Sequence, residues 1–354
     1  MSERTCLYEA QKRHGGKLID FHGWEMPVQF AGITAEHLAV RTGCGVFDLG
    51  HMGRLRVAGL GALALLEQRV CRRLADMKPG QVRYGLALAE DGTVEDDVLV
   101  SRESEQSFHV VVNASNREKI LDQWRPLAGD SLSDLSAAEA MIAVQGPLAV
   151  NLLSGLGLDG HAAKNYGFVD ALWQGVKVRL SRTGYTGEDG FECFLPTAHA
   201  EPLWQAVVAA GATPCGLGCR DTLRLEAGMP LYGNELDRTV TPVEAGLGFA
   251  VNPAGGFVGA AVVLAQLAKG PAKRLVGLTV LDKRVPRHGY PVVSSGQPVG
   301  VITSGTLSPT LGTAIGMAYV PAALAAPGTP LAVDVRGTLC AAEVVTLPFY
   351  KRKR

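Results

Sequence analysis

The sequence predicts an α+β fold that ends in an all-β module, and three observations lead there. The 354 residues include 43 glycines, which cluster between short apolar runs and favour short strands joined by tight turns. Helical periodicity occurs locally between these runs, without a long series of strand–helix–strand units. Beyond residue 273 almost every segment has the pattern of a strand.

Each predicted element rests on its local pattern. Apolar residues at helical spacing predict helices at 32–42, 61–74, 116–127, 148–155, 201–210 and 259–268. Apolar runs next to Gly or polar turns predict strands at 108–115 and 176–184, and in AVDVRG and AAEVVTLPFY near the C-terminus. HGYP, SSGQP, SPTLG and APGTP supply turns within the last module. A polar Gly-Pro stretch at 269–273 and a break at 128–136 mark boundaries, and the length favours several domains.

The composition predicts a globular cytoplasmic protein with neither a nucleic-acid nor a membrane partner. Lys plus Arg and Asp plus Glu number 34 each, so no overall charge attracts polyanions. The N-terminal residues have no signal-peptide pattern, and no apolar run reaches the ~20 residues of a membrane span. The seven cysteines are scattered, which is typical of free thiols in a reducing compartment. Cys215 and Cys219 lack a partner pair for zinc, so we expect packing roles and no metal.

The first candidate motif is EDGTVEDDVLVS, from Glu90 to Ser101. A Gly turn leads into a strand, in which Asp96 and Asp97 must point to opposite faces. An unpaired buried charge is costly, so such acids either belong to a turn or an edge strand, or are held for chemistry.

The second candidate motif is SRTGYTGEDGFE, from Ser181 to Glu192. Its three glycines indicate a tight turn or a close approach of the backbone to a ligand. Tyr185 is able to stack on a flat ring, and Glu192 is able to pair with an N–H edge. A plain hairpin with an exposed Glu192 is the alternative.

The third candidate motif is CGLGCRDTLRLEAGMPLYGNEL, from Cys215 to Leu236, and it places Arg220, Arg224 and Glu226 on a helical stretch. An Arg at such a helix start is able to fork onto a carboxylate, whereas a surface Arg–Glu pair is the alternative. It does not make a dinucleotide site, because neither the strand before it nor an acid ~20 residues later is convincing.

The fourth candidate motif lies in the last module, where Ser304, Gly305, Ser308 and Thr310 either contact a partner or close a hairpin. P-loop, GxSxG and HExxH patterns do not occur. The residues alone therefore indicate an enzyme or binder that acts through acids and Gly-rich turns.

Together these motifs resemble the glycine-cleavage T-protein family. FHGWEMPVQF, GVFDLGHMG, VQGPLA, TPVEAGLGF and a C-terminal PFY occur in the order the family shows, and they extend over nearly the whole chain. The resemblance implies a three-domain clover leaf, with two ferredoxin-like α+β domains and a β-barrel around a central folate site. We expect residues 1–50 plus 137–268 to form the first, folate-binding domain, 51–136 the second, and 269–354 the barrel.

The resemblance also implies an activity. The family accepts an aminomethyl group from the lipoyl arm of H-protein, releases ammonia and makes 5,10-methylenetetrahydrofolate from tetrahydrofolate. Lipoylated H-protein is the implied direct partner, and P-protein and L-protein are indirect ones. The family's acid matches Asp97, and its folate-binding residues match Met52, Tyr84, Asn113, Tyr185, Glu192 and Arg220.

This sequence departs from the family at two places. Asp91-Gly92-Thr93-Val94-Glu95 stands where a Gly-Gly pair is frequent, and Ser101 stands where an aromatic residue often follows the strand. Two other functions remain open: a tetrahydrofolate-dependent demethylase of a small methylated substrate, and a non-catalytic folate-binding protein of iron–sulfur assembly. The retained Asp97 and the scattered cysteines argue against the second.

Overall fold

The α+β class predicted from the sequence is confirmed by a computed structural model, which describes residues 2–352. The six helices predicted from periodicity and the helical stretch of the third motif are all present, although the helix predicted at 61–74 ends at Arg69. A short helix that the sequence did not predict precedes them. The helices of the described chain are α1 (Tyr8–Arg13), α2 (Ile33–Thr42), α3 (Ala62–Arg69), α4 (Arg117–Ala128), α5 (Ala149–Gly155), α6 (Ala200–Ala209), α7 (Leu217–Glu226) and α8 (Ala260–Lys269). Among the described residues, no helix combines the length and apolar character needed to cross a membrane.

Strands supply most of the architecture. In chain order they are β1 (Lys17–Phe21), β2 (Trp24–Gln29), β3 (Gly45–Asp48), β4 (Gly53–Ala58), β5 (Val82–Leu88), β6 (Val94–Ser104), β7 (Ser107–Val112), β8 (Leu132–Asp134), β9 (Glu139–Gln145), β10 (Phe168–Trp173), β11 (Val176–Ser181), β12 (Gly190–Pro196), β13 (Thr213–Pro214), β14 (Lys273–Val280), β15 (Pro291–Ser294), β16 (Gln297–Leu307), β17 (Ala314–Pro321), β18 (Pro330–Val335) and β19 (Thr338–Val345). β1 and β2 form a hairpin of their own.

Two compact units divide the chain. The first consists of Met1–Glu67, Arg73–Gly85 and Val98–Arg220, and the second of Gln68–Arg72, Leu86–Asp97 and Asp221–Arg354. The first unit contains a six-stranded sheet in the order β10-β11-β12-β9-β3-β13, in which the short β13 pairs parallel to β3. Trp204, Leu203 and Val207 of α6 are buried against Phe191 and Ile142 of this sheet and form its main core.

A five-stranded sheet has the order β5-β6-β7-β4-β8. Its central strand β7 pairs antiparallel with both β6 and β4. The four residues between β3 and β4 connect the six-stranded sheet directly to this one, so the chain passes between the sheets through a very short loop. That loop is the LGHM part of the GVFDLGHMG motif.

The last module is all-β, as its sequence pattern predicts, and it is the closed barrel that the family resemblance implies. Its six strands close in the order β14-β17-β16-β15-β18-β19. Burial alternates along β18 and β19, so one face fills the interior and the other faces solvent. The SSGQP turn adopts positive φ at Ser295 and Gly296, as a two-residue hairpin of matching twist requires.

The third and fourth motifs meet inside the second unit. Arg224 of α7 is fully buried and donates to Glu235 Oε2 at 2.8 Å and to Ser304 Oγ at 2.6 Å. Glu226 accepts from Ser308 Oγ at 2.5 Å and Thr310 Oγ1 at 2.7 Å. A surface Arg–Glu pair on this helix is therefore wrong for Arg224 and Glu226: they join α7 to the barrel as buried charges.

We expect Arg224→Leu to destabilise the protein by about 3–5 kcal/mol, because it leaves the carboxylate of Glu235 buried without its guanidinium. Urea unfolding followed by circular dichroism measures the change in the free energy of unfolding. Arg274→Leu, at an exposed position of β14, is the matched control and should change it by no more than about 0.5 kcal/mol. Equal effects of the two substitutions would contradict a structural role for the Arg224 network.

Candidate folate-binding and catalytic residues

The turn before β6 is built around Asp91 and Gly92. Asp91 Oδ1 accepts from the amide and the hydroxyl of Thr93 at 3.1 and 2.6 Å, while Gly92 adopts a φ of 77°. A side chain on Gly92 would come within 3.1 Å of Val262 and Val263. The departure from a Gly-Gly pair is thus accommodated, since Asp91 and Thr93 close the turn through their side chains.

Burial along β6 separates the two adjacent aspartates. Asp96 is fully buried, whereas Asp97 and Leu99 are partly exposed. The alternation follows from the pleat of the strand, which turns successive side chains to opposite faces. Asp97 shares its face with the partly exposed Leu99, so it is the more accessible of the two carboxylates.

The loop between β11 and β12 is held rigid by Gln145 of β9. Gln145 Nε2 donates to Thr183 O at 3.1 Å, and its Oε1 accepts from Thr186 Oγ1 at 2.9 Å. An added Cβ at Gly184 would lie only 2.0 Å from Gln145 Oε1, so the glycine allows this close approach. Arg41 adds a buried ion pair at 2.9 Å with Glu188. Tyr185 is therefore presented by a fixed loop.

Glu192 is a buried carboxylate at the start of β12, not the exposed strand acid of the hairpin alternative. It is only 4% exposed, and its Oε2 accepts from Thr183 Oγ1 at 2.5 Å. Burial raises the pKa of the Glu192 carboxyl above its usual value, while the hydroxyl of Thr183 and the charge of Arg220 oppose that rise. Glu192 is therefore a buried carboxylate that accepts hydrogen bonds at this position.

Arg220 lies on α7 beside Tyr185 and Glu192. Its guanidinium carbon is 4.8 Å from the centroid of the Tyr185 ring, a distance typical of cation–π stacking. Burial lowers the pKa of Arg220, and the nearby Glu192 and Tyr185 oppose that fall. Within residues 2–352, the guanidinium donates no hydrogen bond to another residue, so its donors remain available to a ligand.

The start of α7 is positioned by Glu36. The Glu36 Oε2 atom accepts from the amide of Gly216 at 2.8 Å, and Oε1 accepts from the amides of Phe30 and Gly32 at 2.6 and 3.0 Å. A Cβ on Gly216 would come within 2.5 Å of the backbone of Val28. This packing sets where the helix begins and thereby where Arg220 points, one turn later.

Glu36 also lies beside two thiols. One ligand atom each from Glu36, Cys215 and Cys219 lies within 4.8 Å of the others, and all three residues are buried. Both carboxylate oxygens of Glu36 already accept backbone hydrogen bonds, and burial with the Cys219 contact raises the pKa of Cys215. The contacts therefore agree with packing roles for the cysteines, and the absence of a metal stays a prediction.

Met52 follows a residue that the sequence analysis did not select, His51. Asp48 Oδ1 accepts from the amide of Gly50 at 2.8 Å, and Arg54 donates to Gly50 O at 2.9 Å and also to Met52 O. His51 is 4% exposed, and its Nδ1 has no hydrogen-bond partner among the described residues. The sequence signal that could have identified His51 is its position in a four-residue link that lies between Asp48 and Arg54.

The six predicted folate-binding residues fall into two groups within the first unit. Tyr185, Glu192 and Arg220 come from the β11–β12 loop, β12 and α7 of one neighbourhood. Tyr84 lies on β5, Asn113 follows β7, and Met52 ends the link between the sheets. All of them except Glu192 are partly exposed. The first group is joined by the contacts above, and the roles of all six stay predictions.

Comparison with known proteins gives full-length matches. Residues 7–254 match the model of the GCVT N-terminal domain, and residues 273–351 match that of the glycine cleavage T-protein C-terminal barrel domain. The aminomethyltransferase of Geobacillus kaustophilus is 47% identical, covering 100% of both chains, and that of Streptomyces avermitilis is 48% identical, covering 99% and 98%. The crystal structure of glycine cleavage system aminomethyltransferase T from Bartonella henselae matches with a TM-score of 0.94 at 33% identity, covering 100% of this chain and 99% of that one. The chain therefore belongs to the glycine-cleavage T-protein family of aminomethyltransferases.

Proposed function

We propose that this aminomethyltransferase takes the one-carbon unit from the aminomethyl-dihydrolipoyl arm of H-protein and transfers it to tetrahydrofolate. The products are ammonia, 5,10-methylenetetrahydrofolate and the free dihydrolipoyl arm. P-protein and L-protein act before and after it and are indirect partners. Within the family, the observation that carries the proposal is the cluster of Arg220, Tyr185 and Glu192, which offers donors, a flat face and an acceptor together.

The chemistry of this cluster fits a reduced pteridine. Such a ring has N–H groups on one edge, carbonyl and ring-nitrogen acceptors on others, and a flat face. Glu192 accepts from N–H groups, Arg220 donates to acceptors, and Tyr185 packs against the ring. We propose Met52, Tyr84 and Asn113 as further folate-binding residues. Because Gln145 and Glu36 hold the two elements that carry the cluster, little order has to be created when the ligand binds.

We propose Asp97 as the catalytic carboxylate. The reaction develops positive charge at the transferred carbon and at the amine that accepts it, and a fixed carboxylate stabilises such charge or moves its proton. Partial exposure suits this role, since the group has to meet a substrate. Asp96 and Glu95 are buried, and Glu95 is paired with Arg238, so we propose structural roles for both.

Tetrahydrofolate should stabilise the protein against unfolding. A ligand that binds only the folded state adds RT ln(1 + [L]/Kd), or about 2.7 kcal/mol at 100 times Kd. Thermal unfolding is measured anaerobically over a range of tetrahydrofolate concentrations. A nucleoside, which lacks the pterin ring, is the control compound. A melting temperature that does not change at millimolar tetrahydrofolate would rule out the proposed substrate.

Glu192→Gln should weaken tetrahydrofolate binding by about 1.5–3 kcal/mol, the value of a charged hydrogen bond. The same substitution should stabilise the ligand-free protein at neutral pH. Because the pKa of Glu192 is raised on folding, the folded state binds more protons above the unfolded pKa of ~4.3, and its stability falls as pH rises toward the folded value. The advantage of Gln should be absent near pH 4 and grow above it.

Calorimetric titration measures the affinity, and urea unfolding between pH 4 and 8 measures the stability. Glu118→Gln, an exposed acid on α4, is the matched control and should alter neither. Unchanged affinity in Glu192→Gln would leave Glu192 as a structural acid.

Asp97→Asn should lower kcat ~100-fold or more while tetrahydrofolate affinity changes less, because it keeps the volume and removes the charge. Asp96→Asn, the neighbouring control, should mainly lower stability, since Asp96 is fully buried. The assay is ammonia release from aminomethylated H-protein with excess tetrahydrofolate. Normal turnover in Asp97→Asn with an inactive but folded Asp96→Asn would move the catalytic role to the other face of the strand.

A further inference from the structure

Tyr166 precedes β10, and its backbone adopts a conformation that tyrosine rarely has. Its φ is 55°, in the left-handed region that favours glycine. A residue with a side chain is strained there, and such strain is frequent at ligand-binding sites. Glycine would occupy this position at a lower cost in free energy. The presence of a tyrosine therefore calls for a role of its side chain.

Three backbone hydrogen bonds hold this strained segment between β5 and the β11–β12 loop. The amide of Val82 donates to Tyr166 O at 2.8 Å. The amide of Tyr166 donates to Arg182 O at 3.1 Å, and the amide of Arg182 donates to Gly167 O at 2.8 Å. The backbone of Tyr166 is therefore fixed on both sides, by a strand of the five-stranded sheet and by the residue that follows β11 of the six-stranded sheet.

The sheet register places Tyr166 close to Glu192. Phe168 lies opposite Ser181, and Ser181 lies opposite Glu192, so these three residues form one row across neighbouring strands. Tyr166 is two residues before Phe168, on the same side of this row as Thr183, which is two residues after Ser181. Thr183 Oγ1 donates to the Glu192 carboxylate at 2.5 Å. Tyr166 therefore borders the residues that hold the proposed pterin-binding carboxylate.

The Tyr166 ring is accessible to a ligand. The residue is 43% exposed, so a large part of its surface is open. Partial burial raises the pKa of the Tyr166 phenol, and the nearby carboxylate of Glu192 raises it further, so the phenol is neutral at pH 7. Tyr84 lies on β5, and Tyr185 lies in the β11–β12 loop. The two elements that hold Tyr166 are thus the ones that carry two other proposed folate-binding residues.

We propose that Tyr166 packs its ring against tetrahydrofolate and positions the ligand beside Glu192. This inference rests on the proposed function, because it adds a residue to the same binding site. A ligand that covers the exposed ring removes apolar surface from water, and contact between flat rings adds to the affinity. The strained backbone is kept because a residue without a ring at this position binds the ligand less tightly.

The test uses variants that separate the ring from the backbone strain. Tyr166→Gly removes the ring and relieves the strain, since glycine adopts positive φ freely. Tyr166→Phe keeps both the ring and the strain. Gln174→Gly is the matched control in the same unit: Gln174 is exposed in the turn between β10 and β11, and its φ is 50°. It relieves a similar strain away from the proposed site.

Anaerobic calorimetric titration of the full chain with tetrahydrofolate gives Kd, and thermal unfolding without ligand gives the melting temperature. We expect Tyr166→Gly to raise Kd about tenfold or more, Tyr166→Phe to stay within about threefold, and Gln174→Gly within about twofold. The melting temperature of Tyr166→Gly should lie within about 3 °C of the wild type, because the strain that is relieved offsets the contacts that are lost. If Tyr166→Gly does not fold, Tyr166→Asn, which also tolerates positive φ, replaces it with the same expectations.

The two hypotheses fail in different ways. A wild-type protein that binds tetrahydrofolate, together with a folded Tyr166→Gly of equal affinity, overturns the role of Tyr166 and leaves the proposed function intact. An equal rise of Kd in Tyr166→Phe and Tyr166→Gly also overturns packing by the ring, since the first variant keeps it. A wild-type protein without measurable tetrahydrofolate binding overturns the proposed function itself.

Discussion

The first unit depends on a single buried guanidinium, that of Arg54. It donates to the carbonyls of Gly50 and Met52 in the link between the sheets. It also donates to Ser136 O in the β8–β9 connection at 2.5 Å and to Glu139 O at the start of β9 at 2.6 Å. Arg54 is itself only 1% exposed, and a buried charge is costly unless it is hydrogen-bonded, so these carbonyls are what allow the guanidinium to be buried. One side chain of β4 thereby bonds the β3–β4 link to the residues around the start of β9.

Several polar groups of the first unit remain incompletely paired among the described residues. His51 keeps an unpartnered nitrogen, Glu192 keeps a raised pKa, and Arg220 keeps free donors, although each lies in or near a packed interior. A flexible surrounding would relax and satisfy these groups internally. Gln145 bonds the loop that carries Tyr185, and Glu36 bonds the start of the helix that carries Arg220, so both elements are held in place by buried side chains.

Two arginines of the same helix, α7, have different roles. Arg224 and Glu226 of α7 are buried and fully used in contacts with Glu235, Ser304, Ser308 and Thr310. Arg220 lies one turn earlier and stacks on an aromatic ring instead. The difference arises from surroundings, since a helix turns its side chains through ~100° per residue and so distributes them among different neighbours. Nothing in the chemistry of an Arg distinguishes the two roles beforehand.

The sequence by itself determined the features that depend on near neighbours along the chain. Periodicity and turn residues predicted α6, β7 and the all-β character of the last module, and the two-residue repeat of a strand separated Asp96 from Asp97. Tertiary structure alone decided which distant groups meet: Glu36 with Gly216, and Tyr185 with Arg220. It also decided that His51 is buried without a partner for its Nδ1. The physical reason is range. Periodicity records the local backbone, whereas burial and the pairing of polar atoms depend on how whole elements pack, and no short stretch of sequence contains that information.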